Sequence, residues 1–253
     1  MVDEVTFISN SQKFVFVHLH KCGGTSIERA LDKEMQWNDV MLGSTKYGER
    51  LQKSYQKKFG IYKHSSAAEI KAMMGDEVWR EYFTFTVVRH PIDRMVSFYE
   101  YLQTYYLGGY RGPAIKLMYF VDQISPIPPA LTQLPKLYDA FRWPEIVACM
   151  NSKKISDFIH TNECWQSYGA MTQFEQLSDE SGENLIVDYV AKLEDINSDW
   201  DYICQKLNIS APLKQSNKSK RKYKDWRQYF SLDDINFLTE KYKKDMEAFG
   251  YSL

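Results

Sequence analysis

Phe14 to Leu19 (FVFVHL) is a short β-branched and aromatic run, which predicts a buried strand. It leads into HKCGG and then TSIERALDKE, where Ile27 and Leu31 stand at helical spacing among good helix formers. A helix is expected from about Thr25 or Ser26, which makes the first feature a strand, a glycine loop and a helix. Residues 36–63 are polar and rich in Lys, Gln and Gly, and read as mostly loop. Ser66 and Glu69 form a capping-box pattern at the head of SAAEIKAMM. YFTFTVV (Tyr82 to Val88) predicts a second strand, and RHPIDRMVSFYEYLQTYYL a helix after it. There Pro91 suits the first helical position and Asp93 the positive end, while Ile92, Met95, Val96, Tyr99 and Leu102 repeat at helical spacing.

Residues 108–144 carry most of the prolines and read as a long surface excursion, a kind of segment that often bears function. Helices are expected near 152–160 and 195–207, with a short strand, LIVDYV, between them. A basic run, KQSNKSKRKYK (Lys214 to Lys224), precedes a last amphipathic helix, LDDINFLTEKYKKDMEAF. Strand alternating with helix indicates the α/β class, with a central parallel sheet flanked by helices. A chain of 253 residues fits one sizeable domain, 1–253, better than two small ones.

Charge and composition narrow the partners. The formal net charge is −1, so anion binding must come from local arrangement, and a general nucleic-acid binder is disfavoured. Cys22, Cys149, Cys164 and Cys204 form no CxxC pair, which suits free thiols in a reducing compartment. The start, MVDEVTFISNSQ, is polar and acidic rather than a signal peptide, and no apolar run approaches the roughly 20 residues of a membrane helix. A cytoplasmic protein without a membrane partner is expected. The 18 tyrosines read first as core packing and second as pocket lining.

Two constellations carry chemistry. In His20-Lys21-Cys22-Gly23-Gly24-Thr25-Ser26, the glycines allow close backbone approach. The helix that follows offers N–H groups and a positive end to an anion, and Lys21, Thr25 and Ser26 add donors. Lys21 precedes the glycines, so this is not the GxxxxGK[ST] phosphate loop. The alternative is an ordinary βα turn. In Val88-Arg89-His90-Pro91-Ile92-Asp93-Arg94-Met95-Val96-Ser97, Arg89 leaves the carboxyl edge of a strand, where ligands bind in open α/β sheets. Ser97, two turns into the helix, is a second donor. The alternative is that Arg89 and Arg94 make structural ion pairs. Together the two places suit a ligand with two separated phosphate groups.

These stretches resemble the two nucleotide-binding motifs of sulfotransferases that use 3′-phosphoadenosine 5′-phosphosulfate (PAPS). FVFVHLHKCGGTSIE resembles the 5′-phosphosulfate loop and FTFTVVRHPIDRMVSFYEYL the 3′-phosphate site, nearest to the carbohydrate (Golgi-type) branch. KHSSAAEI is similar to the segment with that branch's proposed catalytic histidine, and the similarity continues through DYVAKLEDINSDWDYICQKLNI, NKSKRKY and DMEAFGY. The resemblance implies a P-loop-like single domain that moves a sulfuryl group from PAPS to a hydroxyl and releases 3′,5′-ADP. It implies that Lys21, Cys22 (through its N–H), Gly23, Gly24, Thr25 and Ser26 hold the 5′-phosphosulfate. Arg89 and Ser97 would hold the 3′-phosphate, and His64 would be the base. A C-terminal loop near 214–224 would cover the nucleotide, bringing Lys220 or Arg221 to it. Two positions depart from the pattern: His20 replaces a proline, and Cys22 a small or hydroxyl residue.

Elementary chemistry supports the same roles. Sulfuryl transfer is an in-line displacement in which charge builds on the leaving oxygen, where a lysine is suited to meet it. A histidine titrates near neutrality and can take the acceptor's proton. Among the five histidines, His18 reads as core, His90 as a helix cap, and His64 as the base or else a solvated loop residue. A zinc site from His18, His20 and Cys22 would need further ligands that the sequence does not offer, and no metal is expected. The acceptor is expected to be a sugar or another small molecule, with Tyr99 to Tyr110 and residues 108–144 as its wall. The rivals are a kinase and a non-catalytic nucleotide binder.

Overall fold

The computed structural model describes residues 6–43, 46–128, 140–213 and 221–253. In chain order it gives β1 (Thr6–Ser9), β2 (Phe14–Val17), α1 (Gly24–Leu31), β3 (Val40–Leu42), α2 (Lys46–Phe59), α3 (Ala67–Met74), α4 (Asp76–Glu81), β4 (Phe83–Val88) and α5 (Pro91–Tyr101). A π-helical turn over Leu102–Tyr106 follows α5. Then come α6 (Arg111–Ile124), α7 (Pro144–Asn151), α8 (Ile155–Ile159), α9 (Asn162–Trp165), α10 (Gln173–Leu177), β5 (Tyr189–Lys192), α11 (Ile196–Leu207), α12 (Leu232–Lys241) and α13 (Lys243–Phe249). These elements group into two compact units.

The first unit, residues 1–91, 172–218 and 244–253, holds the sheet. Its order is β3-β1-β2-β4-β5. Strands β2, β4 and β5 run parallel, with Phe16 beside Phe85 and Phe85 beside Tyr189. Strand β1 runs antiparallel to both β2 and β3 and extends the parallel core at one edge. Alternate residues serve opposite faces. Phe14, Phe16 and Phe85 join Ile27 and Leu31 of α1 and Trp200 and Ile203 of α11. Val15, Val17 and Val88 join Ile70 of α3, Trp79 of α4, Leu177 of α10 and Phe249 of α13. Burial on both faces is why FVFV is apolar throughout, and in FTFTVV the buried Thr84 and Thr86 are tolerated because their hydroxyls donate to Asp188 and to the Val17 carbonyl.

The second unit, residues 92–171 and 219–243, is helical. Ile92, Met95, Val96, Tyr99 and Leu102 form one buried stripe and meet Phe141, Ile146, Phe158, Leu238 and Tyr242. Arg94 is buried among them, where its guanidinium donates to the carbonyls of Gly169 and Met171 and lies over the Tyr242 ring. It is a structural residue.

Several expectations shift. The strand placed at LIVDYV starts later, at Tyr189, and the last helix is two, α12 and α13. Residues 36–63 contain β3 and the fourteen-residue α2, and residues 108–144 contain the fourteen-residue α6. The middle of that excursion, residues 129–139, lies outside the described residues. No described helix is long and apolar enough to cross a membrane.

Candidate active site

The glycine loop joins β2 to α1, and its backbone explains its sequence. Gly23 caps the helix in a left-handed conformation, φ 78°, which glycine adopts without penalty. A Cβ on Gly24 would fall 1.9 Å from Nε2 of His18, so no side chain fits there. Lys21 is also left-handed, φ 63°, an uncommon state for a side-chain-bearing residue. The first turn of α1 holds Thr25 and Ser26 and no acidic residue, so no carboxylate competes for an anion at the helix start.

Arg89 follows β4, and its guanidinium donates to the Lys21 carbonyl at 3.1 Å. The two sequence motifs therefore meet: the loop's lysine and the arginine at the strand's carboxyl edge are hydrogen-bonded neighbours. Gln173, at the head of α10, ties them further. Its Oε1 accepts from the Arg89 N–H at 2.9 Å and from the Cys22 thiol at 3.1 Å. Its Nε2 donates to the Arg89 carbonyl at 2.8 Å. Asp245 in turn accepts from the backbone N–H groups of Gln173 and Phe174.

His64 is buried, at 3% exposure, and so is not the solvated loop residue of the alternative. It follows Lys63, whose carbonyl accepts from Thr6 of β1, and it precedes the Ser66–Glu69 capping box of α3, which forms as expected. Its ring stacks on that of His20, 3.4 Å between centroids, and leans toward His18. Its Nδ1 lies 3.4 Å from the His18 carbonyl. A carbonyl only accepts, so the hydrogen of a bond there comes from Nδ1. His18 is the core residue expected, with Nδ1 2.9 Å from the buried Glu28 carboxylate. His90 is held through its ring: Nε2 lies 3.1 Å from the Ser252 carbonyl, while its backbone N–H donates to Glu194. Glu194 also accepts from the Tyr251 hydroxyl, whose pKa is raised by burial and by that carboxylate.

The loop, Arg89 and His64 thus belong to the sheet unit, and Ser97 and Arg221 to the helical unit. Ser97 is buried on α5. Arg221 pairs with the Asp93 carboxylate and donates to the Asp93 carbonyl at 3.2 Å, which anchors it at the first turn of that helix. Lys220 lies outside the described residues. Among those residues no three His, Cys, Asp or Glu side chains are grouped to hold a metal ion. The sequence reading gave no role to Glu28, Gln173, Asp245 or Glu194, although all but Gln173 lie in the stretches quoted for the resemblance; only the fold shows Glu28 beside His18, Glu194 beside His90, and Gln173 and Asp245 behind Arg89.

A family model described as "Sulfotransferase family" matches residues 5–252, and the chain belongs to that family. No curated protein and no solved structure matches it. The family makes the protein an enzyme that transfers sulfuryl groups, on a mixed α/β domain of P-loop-like type.

Proposed function

We propose that this sulfotransferase takes its sulfuryl group from PAPS and delivers it to a hydroxyl of a sugar or another small molecule, with His64 as the base. The observation that carries the reading is the stack of His64 on His20, one residue before Lys21. It sets a candidate base beside the candidate donor loop within one unit. The departure from proline at position 20 then has a use, since the imidazole of His20 is the surface on which His64 rests.

The residues fit the donor. The glycine loop has a backbone cradle that a Cβ would fill at Gly24, and no carboxylate stands in the first turn of its helix. Lys21, the Cys22 N–H, Gly23, Gly24, Thr25 and Ser26 are assigned to the 5′-phosphosulfate. Arg89, Ser97, Arg221 and Lys220 are assigned to the 3′-phosphate. In the transfer, the bond from sulfur to the bridging oxygen of the leaving phosphate breaks, and a bond from sulfur to the acceptor oxygen forms. Lys21 neutralises the charge left on the bridging oxygen. The acceptor's proton passes to Nε2 of His64. For the acceptor wall we assign the aromatic cluster of the helical unit. There Tyr101 stacks on Tyr105, Tyr106 meets Trp143 edge to face, and Arg111 covers Tyr105. A π-helical turn at such a place often marks a functional site. One family model running through both units supports a single catalytic domain.

Calorimetric titration with 3′,5′-ADP, without metal, on the wild type and Arg89→Ala tests the donor. Binding that weakens at least about 100-fold in the variant is expected, the scale of a lost charge-assisted contact. A wild type that does not bind 3′,5′-ADP sinks the PAPS reading and returns the question to ATP.

A further inference from the structure

We propose that Gln173 is a positioning residue for sulfuryl transfer: its carboxamide locks the glycine loop to the end of β4 and so sets Lys21 and Arg89 in register. The inference rests on reading the loop and Arg89 as the donor site. Gln173 is fully buried, at 0% exposure, on a helix that neither motif includes.

A carboxamide has two N–H donors and two acceptor lone pairs, and here all four are used. Oε1 receives the Arg89 N–H and the Cys22 thiol. Nε2 gives its hydrogens to the Arg89 carbonyl and, at 3.2 Å, to Asp245. Exchanging the oxygen and nitrogen would oppose donor to donor at Arg89 and acceptor to acceptor at Asp245, so the network permits one orientation. The pair of bonds to Arg89 copies what a neighbouring strand would supply, continuing the ladder of β4 one residue past its end. The Arg89 guanidinium then returns to the Lys21 carbonyl, closing a ring through Cys22, Gln173, Arg89 and Lys21. That ring holds Lys21 in its costly left-handed conformation. Asp245 orients the carboxamide from behind through the backbone of Gln173 and Phe174. Cys22, the second departure from the family pattern, has its place here as the thiol that ties the loop to Gln173.

The effect reaches the ligand through other residues, so the test must separate positioning from stability. Gln173→Met removes the four bonds at nearly constant size, and Gln173→Asn keeps the carboxamide but draws it back by one methylene. Gln176→Met is the control: Gln176 is equally buried on the same helix, and its Nε2 donates to the Thr172 carbonyl. Affinity for 3′,5′-ADP is measured well below the Tm of each folded variant, and amide hydrogen exchange at Cys22 and Arg89 is followed in parallel. Both Gln173 variants are expected to raise Kd about tenfold or more, as misplacement of binding groups does, and to speed exchange at both amides. Gln176→Met is expected to lower Tm and leave Kd within about twofold. Gln173 variants that lose Tm like the control but bind 3′,5′-ADP as the wild type does would overturn the proposal. If Gln173→Met does not fold, Gln173→Asn decides. If the wild type does not bind 3′,5′-ADP, the donor reading fails first. Exchange then judges the register by itself, and unchanged protection at Cys22 and Arg89 in the variant refutes it.

Discussion

A methyl group added at Gly24 would meet an imidazole that has no room to yield, because the Nδ1 of His18 is held by the buried Glu28. Gly24→Ala is therefore expected to cost about 1–3 kcal/mol, the range for overpacking a filled core. Gly75 is a useful contrast. It stands at φ 84° and ψ 152°, a region essentially confined to glycine, with nothing within 4 Å of an added Cβ, so Gly75→Ala carries conformational strain alone, about 1–3 kcal/mol. Urea unfolding measures both, and a Gly24→Ala that costs less than about 0.5 kcal/mol would refute the close-packing account. The two glycines also show what sequence reveals at this scale. The loop's glycines, Lys21 and Arg89 were legible because strand–loop–helix and strand–Arg–helix are local patterns. Gln173 and Asp245 were not, because Gln173 reaches Arg89 across 84 residues and Cys22 across 151, and Asp245 reaches Gln173 across 72, and such bonds leave no local trace.

Elements were legible where one face was clearly apolar and hidden where it was not. Helix α5 announced itself by its stripe, whereas α2 (KYGERLQKSYQKKF) is so polar that it reads as a loop. Helix α6 was obscured in the opposite way. Leu117, Phe120, Val121 and Ile124 are exposed, so apolar residues surround the helix and blur the period. Its Pro113 stands in the first turn, where the missing N–H costs nothing. Helix α12 offers a test of how an element is fixed at its end. Asp234 completes the capping box with Ser231 and also accepts from Ser156 and His160. Burial would raise its carboxyl, but the backbone N–H of Ser231 and the bonds from His160, Ser231 and Ser156 outweigh that and hold it at about 2. Its folded pKa lies below the unfolded value of about 4. Its contribution to stability is therefore complete above about pH 4 and lost as the pH falls through about 2, because the unfolded chain binds the proton first. The stability difference between the wild type and Asp234→Asn, followed by urea unfolding from pH 7 to pH 3, should shrink as the pH falls. A constant difference would mean that the carboxylate's charge does not support the cap.

At the scale of the whole chain, the α/β class was legible because FVFV and FTFTVV are buried on both faces and only a covered parallel core needs that. The antiparallel edge was not, since TFIS and VML are short and embedded in polar sequence. The pattern of strands and helices also does not show that the contacts divide into a sheet unit and a helical unit, or that the assigned donor residues come from both. The single-domain reading can be tested through the ligand itself. With 3′,5′-ADP at 100 times its Kd, binding to the folded state alone stabilises it by about 2.7 kcal/mol. For a chain of this size that raises Tm by about 5–10 °C. If residues 1–253 act as one domain, scanning calorimetry should show one transition that moves as a whole, with the shift lost in Arg89→Ala. Two transitions, of which 3′,5′-ADP moves only one, would assign the nucleotide to a single unit. Ser97 and Arg221 would then have to be released from the 3′-phosphate, leaving Arg89 and the glycine loop to hold the donor from the sheet unit.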